Sequence, residues 1–123
     1  MAPARVPCTD MRDLKWSPAE KAIARQAFDL ALRRKLDAVM EEAKRRAARI
    51  GQPSELWDLE RFLTRHRKQI DATFDFRYSA LPFVFAILVR EGLLAESDLH
   101  GLAEDKLDLI RSGAAIASDP PGR

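Results

Sequence analysis

Chemistry-bearing residues are scarce in this chain. One cysteine and two histidines among 123 residues exclude a disulfide framework and a thiolate zinc site. His66 and His100 stand too far apart in sequence to read as a metal signature. Five glycines leave no room for Gly-rich loops that cradle phosphates. No apolar run approaches the ~18 residues that read as a membrane span. Residues 1–13 lack the apolar centre of a secretory signal. These absences favour a reducing, cytoplasmic setting, with Cys8 an incidental thiol in a Pro-rich leader. Charge of one sign is also missing. The 21 Lys and Arg against 19 Asp and Glu leave a net charge of +2, too small a surplus to mark a nucleic-acid binder.

What is present is helix. Apolar residues make up 46% of the chain and charged residues 33%, enough for one small core but not for two. Residues 1–15 show no periodicity and read as a flexible arm. Ser17-Pro18-Ala19-Glu20 is a capping box with proline at the first helical position. From Pro18 to Ile50 there is neither glycine nor a further proline, and Phe28, Leu32, Leu36, Val39, Met40, Ala43, Ala47 and Ile50 form one stripe. Such a helix is about 50 Å long at 1.5 Å per residue, whereas a globule of this size is about 30–35 Å across. The helix must protrude, and its far stripe needs a partner.

Gly51-Gln52-Pro53 ends that helix, and Ser54 is expected to cap a second one running to about Ile70 or beyond. Leu56, Leu59, Leu63, His66 and Ile70, with Phe62 alongside, suit an antiparallel hairpin. A boundary is expected between Asp71 and Tyr78. Residues 81–89 are apolar on every side and fit either a buried strand or a short helix with Pro82 in its first turn. No other segment offers a strand to pair with, so helix is the expectation. Gly92 is expected just past its end. Ser97 is expected to cap a fourth helix carrying Leu99, Leu102, Ala103, Leu107 and Ile110, ended by Gly113, with a frayed tail over 114–123. The expected fold class is all-α. The single domain spans 16–113, with a hairpin over about 17–75 and a head over about 76–113.

Catalytic candidates are poor. Ser17, Ser54 and Ser97 are accounted for as caps. His66 lies on an apolar stripe, His100 reads as solvated, and Glu41 and Glu42 point to different sectors of a helix. We expect no enzyme, no cofactor and no metal. The basic clusters Arg33-Arg34-Lys35, Lys44-Arg45-Arg46-Arg49 and Arg65-His66-Arg67-Lys68 are interleaved with acids. Glu41–Arg45 and Glu42–Arg46 are spaced as helical ion pairs, so a solvated, paired face is favoured over a phosphate-binding stripe. Trp57 is the anomaly. It shares a sector with Arg61, Thr64 and Lys68, away from the leucine stripe, which fits either a protein interface or cover by the first helix of the same chain.

Six segments in order carry a resemblance: Trp16-Ser17-x-Ala19-Glu20; Leu56-Trp57-x-Leu59-x-x-Phe62-Leu63; Arg67-x-x-Ile70-Asp71; Phe83-Val84-Phe85-Ala86; Glu91-Gly92-Leu93; and Leu102-Ala103-x-Asp105-Lys106. They resemble the fluorescence recovery protein family of cyanobacteria from Trp16 to about Arg111. The resemblance implies a long helical hairpin with a helical head, pairing into an antiparallel homodimer. It also implies a regulator that binds the photoactivated orange carotenoid protein and speeds its return to the dark form. Trp57 and Arg67 match the dimerisation region; Leu36 and Met40 from the long-helix stripe, and Glu60 and Arg61 from their positions beside these two, are expected to join them at the dimer interface. Phe83, Lys106 and Leu109 are the head residues expected to meet the client. The chain departs from the family pattern at Glu60-Arg61, where the family has His-Asp, at Leu109, where it has a head lysine, and at Pro82, where it has an aliphatic residue. These departures leave open a relative with another client. A basic helical nucleic-acid binder is the more distant alternative.

Overall fold

Ser17 opens the first helix as its sequence dictates. Its hydroxyl accepts the Glu20 amide at 3.1 Å, and the Glu20 carboxylate accepts the Ser17 amide at 2.9 Å. In the computed structural model, which describes residues 14–117, helix α1 runs Pro18–Ala48. The segments at 1–13, with Cys8, and from 118 onward lie outside the described residues. Over 31 residues α1 is about 46 Å long. Only its first half enters the core, through Ala24, Ala27, Phe28 and Ala31.

Helix α2, Ser54–Thr73, returns alongside the second half of α1. Ser54 does not cap it, contrary to expectation, because it already lies within the helix. Glu55 serves the turn instead: its carboxylate accepts the Gly51 and Gln52 amides at 2.6 and 2.9 Å. Those two amides hold the Glu55 carboxyl below its ordinary value. Phe62 is the one fully buried residue of α2. The Arg46 guanidinium of α1 lies over its ring at 4.2 Å, so a cation–π contact closes the hairpin.

The head is built from three further helical pieces. Helix α3, Leu81–Arg90, has Pro82 in its first turn, where a missing N–H is harmless. The strand alternative for this segment is therefore excluded. Gly92, at φ +80°, takes the left-handed position past its end. The Gly92 and Leu93 amides bond back to the Val89 and Leu88 carbonyls, a complete Schellman closure.

The expected fourth helix is divided. A 3-10 turn occupies Glu96–Leu99, and α4 begins only at Glu104 and runs to Ala117. Gly101, at φ +107°, makes the break. Asp98, not Ser97, caps the turn, accepting the Ala95 amide at 2.9 Å. Nor does Gly113 end α4. It lies where that helix crosses α3, so close that an added Cβ would sit 2.8 Å from Ala86. The frayed tail expected from residue 114 is helical through Ala117.

Leu81, Phe85, Leu88, Leu99 and Ile110 pack with the small face of α1 to form the core. Phe74 and Phe76 meet Phe28 edge-on at 5.4 and 5.0 Å, which fastens the hairpin's base to the head. The architecture is all-α, as expected, with no strand among the described residues.

Candidate interaction surface

Beyond Arg34, whose guanidinium still meets the Leu93 carbonyl and Asp98 of the head, the hairpin is only two helices thick, and two helices cannot cover their own apolar stripes. Leu36 and Met40 of α1 are 42% and 50% exposed, and Leu56 and Leu63 of α2 are 49% and 43% exposed. Between the helices runs an apolar groove of about 350 Å³, walled by Leu32, Leu36, Val39, Leu63 and Ile70 and rimmed by Arg67 and Asp71. Large apolar side chains left exposed along a helix pair mark an interaction site.

His66 also lines this groove. Its ring is tilted against Phe62, with centroids 4.5 Å apart, and its Nδ1 is buried without a hydrogen-bond partner among the described residues. Burial pushes the imidazole below its ordinary value, and the nearby cations Lys35, Arg65 and Arg46 push it further the same way.

Trp57 is 60% exposed, so the first helix of its own chain does not cover it. Arg61, one turn on, is paired with Asp58. Glu60 accepts the Thr64 hydroxyl at 2.9 Å. Neither carboxylate reaches Arg67 within the chain. The basic clusters are ion-paired much as the interleaving suggested, with one correction. Arg45 bonds Glu42 at 2.6 Å, not Glu41, and shares that carboxylate with Arg46 at 3.0 Å. Arg33 pairs with Asp37 at 3.1 Å.

In the head, Phe83 is 60% exposed while its neighbours Val84 and Phe85 are buried. The Phe-Val-Phe segment thus divides between core and surface. Leu109 is half-buried. Lys106 is not on the surface at all, which corrects its expected place in client contact. It is 1% exposed, its ammonium 3.1 Å from Glu20 and 5.0 Å from the centre of the Trp16 ring. Glu20 also accepts the Ala103 amide at 2.8 Å, so one carboxylate caps α1 and receives the start of α4. Burial alone would raise the Glu20 carboxyl. The Ser17 and Ala103 amides and the Lys106 ammonium outweigh it and bring it down to about 2. The capping box gave Glu20 its local role, but no spacing rule signals a partner at the far end of the chain. The structure brings Leu36, Met40, Glu60 and Arg67 onto the hairpin, with Trp57 and Arg61 along α2. It holds Phe83 apart on the head.

Comparison with known proteins agrees with this geometry. The profile of a family described as photoprotection regulator fluorescence recovery protein matches residues 16–114. The fluorescence recovery protein of Synechocystis sp. is 39% identical over 101 residues, which cover 82% of this chain and 93% of that protein. The solved structure of the Fremyella diplosiphon fluorescence recovery protein superposes with a TM-score of 0.79 at 37% identity, covering 82% of this chain and 99% of that one. The Synechocystis structure gives the same TM-score at 39% identity and the same coverage.

Proposed function

This chain belongs to the fluorescence recovery protein family of photoprotection regulators, and from that premise we propose that it works as a homodimer paired through its hairpins. The observation that carries the dimer is the uncovered apolar face of α1 and α2. Leu36, Met40, Leu56 and Leu63 are each at least 42% exposed, a cost that a second copy of the same face would remove. The proposed client is the orange carotenoid protein in its photoactivated form, met by Phe83 and Leu109 on the head. A regulator of this kind performs no bond chemistry. It shifts its client toward the dark form by binding one conformational state more tightly than the other, and each 1.4 kcal/mol of that difference is about tenfold in the equilibrium. Pigment, on this reading, belongs to the client.

Light scattering tests the dimer. Met40 lies on the exposed face, and Met40→Glu would bury a carboxylate in the paired state at a cost of several kcal/mol. The expected result is a folded monomer; an undiminished dimer would place the pairing elsewhere. The client is tested by following the dark recovery of photoactivated orange carotenoid protein with and without this chain. Acceleration that Phe83→Ala abolishes supports the reading, and no acceleration by the intact dimer overturns that client. A different client of the same kind is the second reading. It is favoured by Arg61, which stands where the family has an acid and is already paired with Asp58.

A further inference from the structure

His66 is placed where a proton would matter. It lines the apolar groove with Leu32, Leu36 and Val39 of α1 and Leu63 and Ile70 of α2. Among the described residues the lining of this groove comes from these two helices. The charged groups that face it from α1 are Lys35 and Arg46, and from α2 Arg65. Arg67 and Asp71 stand on the groove rim. Of the acids nearby, Glu42 is held by Arg45 and Arg46. None gives the buried Nδ1 a hydrogen bond.

We propose that His66 makes hairpin pairing depend on pH: two copies pair while its imidazole is neutral and separate when it is protonated. The inference rests on the homodimer proposed above. An uncharged ring fits an apolar groove that a second copy closes. An imidazolium there would lose its remaining water on pairing and would face Lys35, Arg46 and Arg65, while the groove's own carboxylate, Asp71, stands out on the rim and gives the ring no hydrogen bond. Pairing therefore favours the neutral form, and by linkage loss of the proton favours pairing. Histidine is the side chain whose ordinary titration range makes such a device responsive near neutrality. His100, exposed at the end of the 3-10 turn, lies away from the groove and has no part in it.

The test is the dimer dissociation constant by sedimentation at about pH 8 and about pH 5.5, for the full chain and for His66→Gln, with helicity followed by circular dichroism. The expected result is a dimer at the higher pH, weakened by at least about tenfold at the lower one with helicity retained. His66→Gln should show less than half of that change on a logarithmic scale. As a second measurement on the unaltered chain, the imidazole proton resonances of His66 should show it titrating below its ordinary value and shifting further down as protein concentration rises. Equal dissociation constants at the two pH values, or the same weakening in His66→Gln, overturn the inference and leave the dimer standing. A monomer at the higher pH overturns the dimer, and the switch with it. A His66 titration that does not move with protein concentration also overturns it.

Discussion

Lys106 and Glu20 form a buried ion pair, 3.1 Å from ammonium to carboxylate, between the first turn of α1 and the first turn of α4. Glu20 has more to hold than its partner has. It also accepts the Ser17 and Ala103 amides, so a single carboxylate joins two helix starts and one cation. Removing the acid leaves the buried ammonium only the exposed Asp105 carboxylate, 3.5 Å away, whereas removing the cation leaves the acid two amides. Glu20→Gln is therefore expected to cost about 3–5 kcal/mol, and Lys106→Met distinctly less. Denaturant unfolding of the two variants checks the order.

The same pair sets a pH dependence. The Glu20 carboxyl is brought from about 4.5 in the unfolded chain to about 2 in the fold. A depressed carboxyl contributes stability that is fully present above its unfolded value and is lost as pH falls through its folded value. The window is therefore about pH 4.5 down to about pH 2, and the contribution is on the order of 3 kcal/mol. Acid titration of stability should show this slope in the unaltered chain. Glu20→Gln should flatten it, and an unchanged slope would assign acid sensitivity to other carboxylates.

Adjacent residues of α3 are expected to respond in opposite ways. Val84 is 3% exposed and Phe83 60% exposed. Val84→Asp places an unpaired carboxylate among apolar side chains and should lower the melting temperature by on the order of 10 °C or more. Phe83→Ala should leave melting within a few degrees, because the ring covers little of the core. Calorimetry of the pair checks it; steep destabilisation by Phe83→Ala would make that residue structural.

The fold was largely legible because its main signals are local. The capping box at Ser17 and Glu20 fixed the start of α1, the Gly51-Gln52-Pro53 break fixed its end to within two residues, and the apolar stripes announced a hairpin too long for its own globule. The misreadings have identifiable causes. Ser54 and Ser97 were plausible caps, but both lie inside their helical turns, and the carboxylates of Glu55 and Asp98 reach back instead to the Gly51, Gln52 and Ala95 amides. Gly113 looked like a terminator because the crossing of α3, which requires a small residue there, is not a local property. Lys106 looked like a surface lysine for the same reason: its burial depends on Glu20 and Trp16, at the other end of the described chain. On the hairpin, Met40 and Trp57 could be singled out by sector alone, while the groove around His66 requires two helices side by side.

Gly101 and Gly92 separate two costs of adding a methyl group. Both have positive φ, +107° and +80°. A Cβ on Gly92 would meet nothing within 4 Å, whereas one on Gly101 would lie 2.4 Å from Ile23 Cδ1. Gly92→Ala should cost about 1 kcal/mol from backbone conformation alone. Gly101→Ala should cost more, on the order of 2–3 kcal/mol, and Ile23→Val should recover part of the excess by clearing that methyl. Chemical denaturation of the three variants checks the ranking; equal costs at the two glycines would mean that Ile23 turns aside freely.

Arg67 is the residue of the proposed hairpin interface whose counter-charge can be argued from geometry. Within the chain Asp58 is engaged by Arg61 and Glu60 by Thr64. At about 100° per residue, positions 60 and 67 lie about 20° apart in sector and about 10 Å apart along α2, whereas position 58 lies on the opposite side. Glu60 and Arg67 therefore share a face, with Leu63 between them in sequence. Antiparallel pairing about a two-fold axis near that midpoint sets Arg67 against Glu60 of the partner subunit, and the reverse, giving two identical ion pairs. The exposed bond from Thr64 to Glu60 is weak enough to be given up. An ion pair closed off from water by the leucines is worth more than one at a wet rim, where the contribution is close to nothing. The double-mutant cycle of Arg67→Ala with Glu60→Ala, read as dimer dissociation constants, should show a coupling above about 1 kcal/mol, while the cycle with Asp58→Ala should show none. Coupling to Asp58 in place of Glu60 would require a different register of the two hairpins. No coupling to either would remove Arg67 from the interface and leave it free to meet the client.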